Sequence, residues 1–342
     1  MDLYFSDIFN VSPETIAEYG AFNVSLVNDL PLFIDPFLLF NSSSDAYQQL
    51  HAGILQYVRF LRDRAAAGSI RPGLLKNWFV FKEVKQTWLG YSLVGNRGSG
   101  LGLDFARALY GNLHTICSNF GDEDITRSSH LEKLCLIKSG VGRDNISDFT
   151  TCLIKEYLLT YTQDFARRHL QPKQSQKFAV PRVRFNYGTG SWETAAFELP
   201  AFGGDFVILT PKGILTKDDT WINKTDMIRD FSEVADSMPN EQLRAQLEAY
   251  LVSMLPDKPK PRDRVEAILK TIGKFPAFVD YYIRYKEETG DTAVSVSELR
   301  VREVENCRRS GKVQRSDRKK YRGRGQKDQL MIAAPFSVVA SW

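Results

Sequence analysis

The sequence predicts a helix-rich protein of mixed α and β structure, in the α+β class, with small sheets and a basic, disordered C-terminal tail. Apolar residues recur at helical spacing over 44–67, where Leu50, Leu55, Val58 and Leu61 line one face. Two short runs, TAAFELPAF and DFVILTP, have the composition of strands and are separated by a pair of glycines. With 43% hydrophobic and 25% charged residues, the 342-residue chain resembles a soluble globular protein.

The elements of the N-terminal half follow from local signals. A hydroxyl cap, a proline and an acid at Ser12-Pro13-Glu14 predict a helix start. Residues 21–35 look extended, and the aromatic and β-branched run WFVFKEVK predicts a strand over 78–85. Further helices are predicted over 103–118 and, as one long element, over 145–169.

The second half of the chain is predicted to begin with a linker and to end in helices. Residues 171–186 are rich in Gln, Lys and Pro, which favours a linker between domains. After the two strand-like runs, apolar residues at helical spacing predict a series of helices over 223–236, 240–255, 262–273, 276–288 and 293–305. We therefore expect a first domain over 1–170 and a second over 171–305.

Residues 306–342 form a tail of different character. They contain ten Lys and Arg against two Asp, whereas the whole chain has 45 basic and 41 acidic residues, so the part up to residue 305 is net acidic. Low apolar content and like charges predict disorder. Two interpretations stay open: a nucleic-acid-binding arm, or accidental sequence that follows a truncated or lost reading frame.

Composition also limits the location of the protein and its cofactors. The longest apolar run, LPLFIDPFLLF, is too short to span a bilayer, and the acidic N-terminus is unlike a signal peptide, so we expect a cytoplasmic protein without membrane contact. The four cysteines and four histidines lack metal-ligand spacing. If a metal binds, Mg²⁺ or Mn²⁺ held by carboxylates is expected.

Glu83-Val-Lys85 is a candidate catalytic motif. The Glu-x-Lys pattern is used by restriction-type nucleases, in which the carboxylate holds Mg²⁺ and the lysine steadies an attacking water. On the predicted strand both side chains would lie on one face. The alternative is a surface strand with an ion pair.

Three further carboxylates are candidates for chemistry. Asp144 and Asp148 lie four residues apart at a predicted helix start, where they could bind a divalent cation or cap the helix. Asp35 lies inside an apolar run, so we expect it to be paired, metal-bound or turned outward before Pro36. Together these residues define an alternative function, a divalent-metal-dependent phosphodiesterase or nuclease.

Basic residues in two loops and in the tail are candidates for contacts with DNA or RNA. Phosphate contacts are made by Lys and Arg, and this binding falls steeply with salt. The candidates are Arg97, Lys212, Lys217, Arg308, Arg309, Arg318, Lys319, Lys320, Arg322 and Arg324.

Four segments together resemble a family of uncharacterised bacterial proteins of mobile or antiviral-defence gene neighbourhoods. They are LPLFIDPFLLF, FKEVKQTWLGYS, GVGRDNISDFTT with YTQDFA, and ILTPKGILTKDDTWIN. The resemblance covers about residues 1–305, and the family's longer members continue into a region resembling PD-(D/E)XK nucleases, which is missing here. It implies a regulatory portion that binds nucleic acid or a partner protein. An oligomeric scaffold is a third possibility, which a large apolar patch on the 240–288 helices would indicate.

Overall fold

The computed structural model describes residues 3–90, 101–116, 120, 123–137, 143–217 and 219–309. It is helix-rich with small antiparallel sheets, which confirms the predicted α+β class. Met1–Val301 forms one compact unit, which spans the expected boundary near residue 170, and Arg302–Trp342 forms a second. Among the described residues, every helix is too short or too polar to traverse a bilayer.

Helices dominate the N-terminal half. The helix start at Ser12 is confirmed, because its side chain accepts a hydrogen bond from Thr15 N at 3.0 Å. The predicted helix over 44–67 is also confirmed, and its buried face includes Leu55, Val58 and Leu61. The helices are α1 (Phe5–Phe9), α2 (Pro13–Glu18), α3 (Pro36–Phe40), α4 (Asp45–Ala66), α5 (Pro72–Phe79), α6 (Leu103–Ile116), α7 (Lys133–Ile137), α8 (Arg143–Leu153) and α9 (Lys155–His169).

The predicted strand over 78–85 is wrong. Trp78 and Phe79 end helix α5, which begins at Pro72, a residue that favours the first turn of a helix. Lys85–Thr87 is a 3-10 turn, so Glu83 and Lys85 do not share a strand face. The aromatic side chains that suggested a strand are buried by packing, and this burial outweighs their β propensity.

Two helices predicted as continuous are each divided. The long helix over 145–169 breaks at Ile154, which leaves the helical conformation with φ −95° and ψ 13°. The break lets α8 and α9 turn buried faces toward different neighbours. The helix over 223–236 divides at Asp230 into α10 (Lys224–Arg229) and α11 (Phe231–Asp236).

Two small antiparallel sheets complete the unit. The predicted linker over 171–186 is wrong, because most of it is the strand β2 (Ser175–Asn186), which pairs with β3 (Ser191–Phe202). Helix α9 packs on this hairpin, and β4 (Asp205–Phe206) extends it. The second sheet joins β1 (Leu32–Ile34) to β5 (Leu215–Lys217), so that Ile34 lies opposite Leu215.

The remaining helices pack around an apolar core that also includes residues of the N-terminal half. Phe231 and Phe278 stack with ring centroids 4.6 Å apart. Phe37 of α3 and Leu136 of α7 belong to the same buried cluster. The helices are α12 (Glu241–Met254), α13 (Pro261–Lys274), α14 (Phe278–Glu288) and α15 (Gly290–Arg309). Because α15 continues to Arg309, the start of the predicted tail is helical, and residues 310–342 lie outside the described residues.

Candidate functional site

Asp35 lies at the centre of the candidate site, between β1 and α3. Its side chain is fully buried and caps α3 by accepting a hydrogen bond from Phe37 N at 3.0 Å. Its other oxygen accepts from Trp221 N at 2.7 Å, which ties the loop after β5 to the start of α3. The expectation of a paired carboxylate at this position is therefore met.

Glu132, immediately before α7, is the partner of Asp35. Both residues are fully buried, and their carboxyl groups lie close enough for each to shift the pKa of the other. Burial raises the pKa of Asp35 to about 6, although its two backbone N–H donors lower it. Burial, and next the charge of Asp35, raise the pKa of Glu132 well above its usual value. Glu132 therefore holds its proton more strongly than a solvent-exposed glutamate does.

Glu287, near the C-terminal end of α14, forms the second part of the site. A carboxylate at a helix C-terminus is disfavoured by the helix dipole, so it needs strong compensating contacts when buried. The loop before α7 supplies them: Glu287 accepts from Arg127 N at 2.8 Å and from Ser128 N at 3.2 Å. It also lies 2.8 Å from His130 Nε2.

Aromatic rings surround His130. Its ring centroid lies 4.7 Å from that of Phe40 and 5.8 Å from that of Phe37. His51 lies next to it with ring centroids 5.9 Å apart, and burial, followed by the proximity of His130, lowers the pKa of His51 to about 3. His51 is therefore neutral over the physiological range and adds no charge to the site.

Two buried lysines complete the arrangement. Lys133 Nζ lies 2.6 Å from Asp280 Oδ1, and Lys286 Nζ lies 2.9 Å from Asp226 Oδ2. Lys286 Nζ also lies 4.0 Å from the ring centroid of Trp221. We call the whole set the buried network; its members are Asp35, His130, Glu132, Lys133, Trp221, Asp226, Asp280, Lys286 and Glu287.

The buried network joins α14 to the N-terminal half of the unit. Helix α14 contributes three inward charges, Asp280, Lys286 and Glu287, and each is paired with a group from α7, α10 or the loop before α7. Removing one partner of a buried pair is strongly destabilising, since the other charge stays in a medium of low dielectric. Any change in one pair should therefore be transmitted between these elements.

The other candidate carboxylates form a separate acidic group. Burial, and then the charges of Asp144 and Glu83, raise the pKa of Asp148 to about 8. The pKa of Glu83 is also raised, mainly by burial, although Lys85 lowers it. The structure thus brings together four of the five residues that the sequence singled out for catalysis, but Asp35 belongs to the buried network.

The described residues contain no group of three or more His, Cys, Asp or Glu that could hold a metal ion. The combination of Asp35, Asp144 and Asp148 proposed for the phosphodiesterase alternative is therefore not one metal site here. The assignment of a metal to Asp144 and Asp148 as a pair stays a prediction.

We expect Asp148→Asn to stabilise the protein above pH 8. The pKa of Asp148 is raised in the folded state, so the folded protein binds this proton more tightly than the unfolded chain, and stability falls as pH rises through about 8. Asparagine removes this loss. Urea unfolding at several pH values measures the effect, and Asp104→Asn, whose side chain is fully exposed, serves as a control. An unchanged pH dependence would contradict the prediction.

The predicted nucleic-acid contacts are only partly described. Lys212 lies in a 3-10 turn and Lys217 in β5, and both are partly buried. Arg308 and Arg309 lie in the last turn of α15. The other candidates, Arg97, Arg318, Lys319, Lys320, Arg322 and Arg324, lie outside the described residues.

The sequence analysis missed the partners of Asp35. Glu132 and His130 lie in the segment HLEKLCLIK, where charged residues interrupt an apolar run, as Asp35 interrupts its own. The same signal could have singled them out. For the scaffold alternative, Val252 and Met254 of α12 are exposed large apolar residues, two positions apart.

Comparisons with known proteins give one match. No curated protein and no solved structure matches this chain. Residues 10–223 match the model of a family described as a domain of unknown function, DUF8370. This match includes Asp35, Glu132 and the acidic group, whereas α14 lies beyond it. Because the match spans more than half of the sequence, the chain belongs to the DUF8370 family.

Proposed function

We propose that this chain is a regulatory unit of a nuclease-like bacterial defence protein, that it binds nucleic acid or a partner protein, and that the catalytic step takes place elsewhere. The observation that supports this most directly is the buried network, in which Asp280 and Glu287 of α14 are tied to the N-terminal half and Lys286 is tied to α10. Buried ion pairs add little net stability, and their best-attested role is to specify one arrangement of elements. Because the network links α14 to other elements of the unit, a ligand that moves one of these elements would also move the others. The defence context rests on the sequence resemblance.

The network can respond to a binding event because its members form a continuous chain of contacts. The Asp35 carboxyl group lies beside that of Glu132 and accepts a hydrogen bond from Trp221 N. The Nε1 atom of Trp221 in turn donates to Lys286 O at 3.1 Å. Displacing the loop that contains Trp221 would therefore disturb both the cap of α3 and the end of α14. Regulation needs such an element with two arrangements whose equilibrium a ligand can bias.

A second candidate is the divalent-metal-dependent phosphodiesterase. Burial, followed by the charges of Asp144 and Glu83, raises the pKa of Asp148, and a cation held by the pair Asp144 and Asp148 would favour its ionised form, which supports this candidate. Lys85, beside Glu83, is the residue that this mechanism would use to steady water.

A nuclease assay distinguishes the two functions. The full chain is incubated with single- and double-stranded DNA and RNA in the presence of Mg²⁺ or Mn²⁺, with Asp148→Ala and a metal-free reaction in parallel. We expect no divalent-dependent cleavage by the wild-type protein. Cleavage that requires the metal and disappears in Asp148→Ala would overturn the regulatory proposal and support the phosphodiesterase.

A further inference from the structure

A row of aromatic rings reaches the surface at the tip of the β2–β3 hairpin. Tyr187 is 39% exposed, and its ring centroid lies 5.2 Å from that of Phe185 and 5.9 Å from that of Phe60 on α4. The tip is held on α5, because Trp78 Nε1 donates to Gly190 O at 2.7 Å. The exposed ring is therefore fixed in position before any ligand arrives.

Two arginines lie over aromatic rings of this region. The guanidinium of Arg64 is 5.2 Å from the ring centroid of Phe60. The guanidinium of Arg182 is 4.7 Å from the ring centroid of Trp192. Arg64 is exposed, and Arg182 is half-buried by hydrogen bonds to the end of α5. Planar guanidinium groups beside aromatic rings offer both stacking surfaces and phosphate donors.

The surrounding segment is strongly basic within an acidic body. Residues 46–82 contain six Lys and Arg but only one acid, Asp63, whereas residues 1–305 are net acidic. Five of these basic side chains are exposed and have no ion-pair partner among the described residues: Arg59, Arg64, Arg71, Lys76 and Lys82. We call this segment, with the aromatic row, the aromatic-basic face.

We propose that the aromatic-basic face binds single-stranded nucleic acid. Exposed rings stack on unpaired bases irrespective of their sequence, while unpaired Lys and Arg neutralise the phosphates. The basic tail of this chain cannot be the occupant, since it has the same sign of charge. The inference rests on the proposed regulatory function and names the ligand and the surface that binds it. This surface differs from the loops and the tail that the sequence suggested as nucleic-acid contacts.

Fluorescence anisotropy with labelled mixed-sequence single-stranded DNA and RNA tests the proposal. Titrations of the full chain and of each variant are made at the same series of salt concentrations, so that the contribution of the basic tail is common to all of them. We expect Tyr187→Ala to weaken binding by about tenfold and Tyr187→Trp to restore it, because one stacked base is lost and regained. Arg64→Ala should reduce the slope of log affinity against log salt by about one.

The control variant is Arg262→Ala, an exposed arginine of α13 without an ion-pair partner among the described residues, which should bind as wild type. Circular dichroism checks that each variant is folded, and if Tyr187→Ala is not, Arg64→Ala decides alone. The proposal would be overturned if both variants bound with wild-type affinity or if the wild-type protein did not bind. It would also be overturned if polyglutamate bound as tightly as the nucleic acids and this binding also depended on Tyr187. If the aromatic-basic face does not bind single-stranded nucleic acid, the regulatory proposal is unaffected. Divalent-dependent cleavage, in contrast, would contradict the regulatory proposal but not the binding of nucleic acid at this face.

Discussion

Glu287→Ala is expected to destabilise the folded protein by about 3–5 kcal/mol, because the hydrogen-bonding groups that it leaves without an acceptor cost about 1–3 kcal/mol each. The side chain is 1% exposed and accepts hydrogen bonds from Arg127 N and Ser128 N, and it lies 2.8 Å from His130 Nε2. Alanine leaves the buried His130 ring and two part-buried backbone N–H groups without this acceptor, and each unsatisfied donor adds to the loss. Equilibrium urea unfolding of the wild-type and variant proteins measures the difference.

Glu288→Ala is the matched control, because the neighbouring glutamate is 54% exposed and its one ion-pair partner among the described residues is Arg284, one helical turn away. Its change in stability should stay within about 0.5 kcal/mol. Glu287→Gln should lie between the two, since the amide oxygen can replace one acceptor but not the charge. Equal effects of the two alanine substitutions would show that Glu287 does not hold α14 to the loop before α7.

Local signals were sufficient for elements whose ends are set by their own residues. Ser12 caps α2 and Asn240 caps α12, where its side chain accepts from Leu243 N at 2.9 Å. These interactions depend on residues three positions apart, so the sequence shows them directly. The stripe of apolar residues in α4 is equally local, because helical periodicity alone places it on one face.

Elements decided by distant contacts could not be predicted in this way. Residues 171–186 were interpreted as a linker on their Gln, Lys and Pro content, yet β2 is stabilised by β3, which pairs Phe178 with Phe197. Trp78 has high β propensity but ends helix α5, where its indole binds the hairpin at Gly190. In both cases tertiary packing outweighs the preference of the isolated segment.

The candidate site, too, combines features set by neighbouring residues with features set by distant contacts. Asp35 was found because a carboxylate inside an apolar run needs a partner, and this argument uses only neighbouring residues. The identity of the partner depends on the fold, which brings Glu132, Trp221 and α14 to Asp35 from distant parts of the chain. The acidic group is intermediate: Asp144 and Asp148 are related by helical spacing, whereas Glu83 reaches them only through the tertiary structure.

Glu132→Gln is expected to make the stability of the protein less dependent on pH above the ordinary glutamate pKa of 4.5. The pKa of Glu132 is raised in the folded state, so the folded protein holds this proton at pH values where the unfolded chain has lost it. Stability therefore falls as pH rises, by up to about 1.4 kcal/mol per pH unit for each such carboxyl group. Glutamine cannot ionise, and its amide can still donate to the Asp35 carboxylate.

The comparison of wild type with variant isolates Glu132 from the other groups that titrate. Asp35, with a pKa of about 6, and Asp148, with a pKa of about 8, also reduce stability as pH rises, but both remain in the variant. His51, with a pKa of about 3 in the folded protein against an ordinary 6.5, makes stability rise between pH 5 and about 6.5, and this contribution is present in wild type and variant alike. Chemical unfolding from pH 5 to pH 9 should thus give a shallower decline for Glu132→Gln, and Glu233→Gln, on the exposed face of α11, should follow the wild type. Parallel curves for Glu132→Gln and wild type would mean that Glu132 loses its proton as readily in the folded protein as in the unfolded chain, and the raised pKa of Glu132 in the buried network would then have no basis.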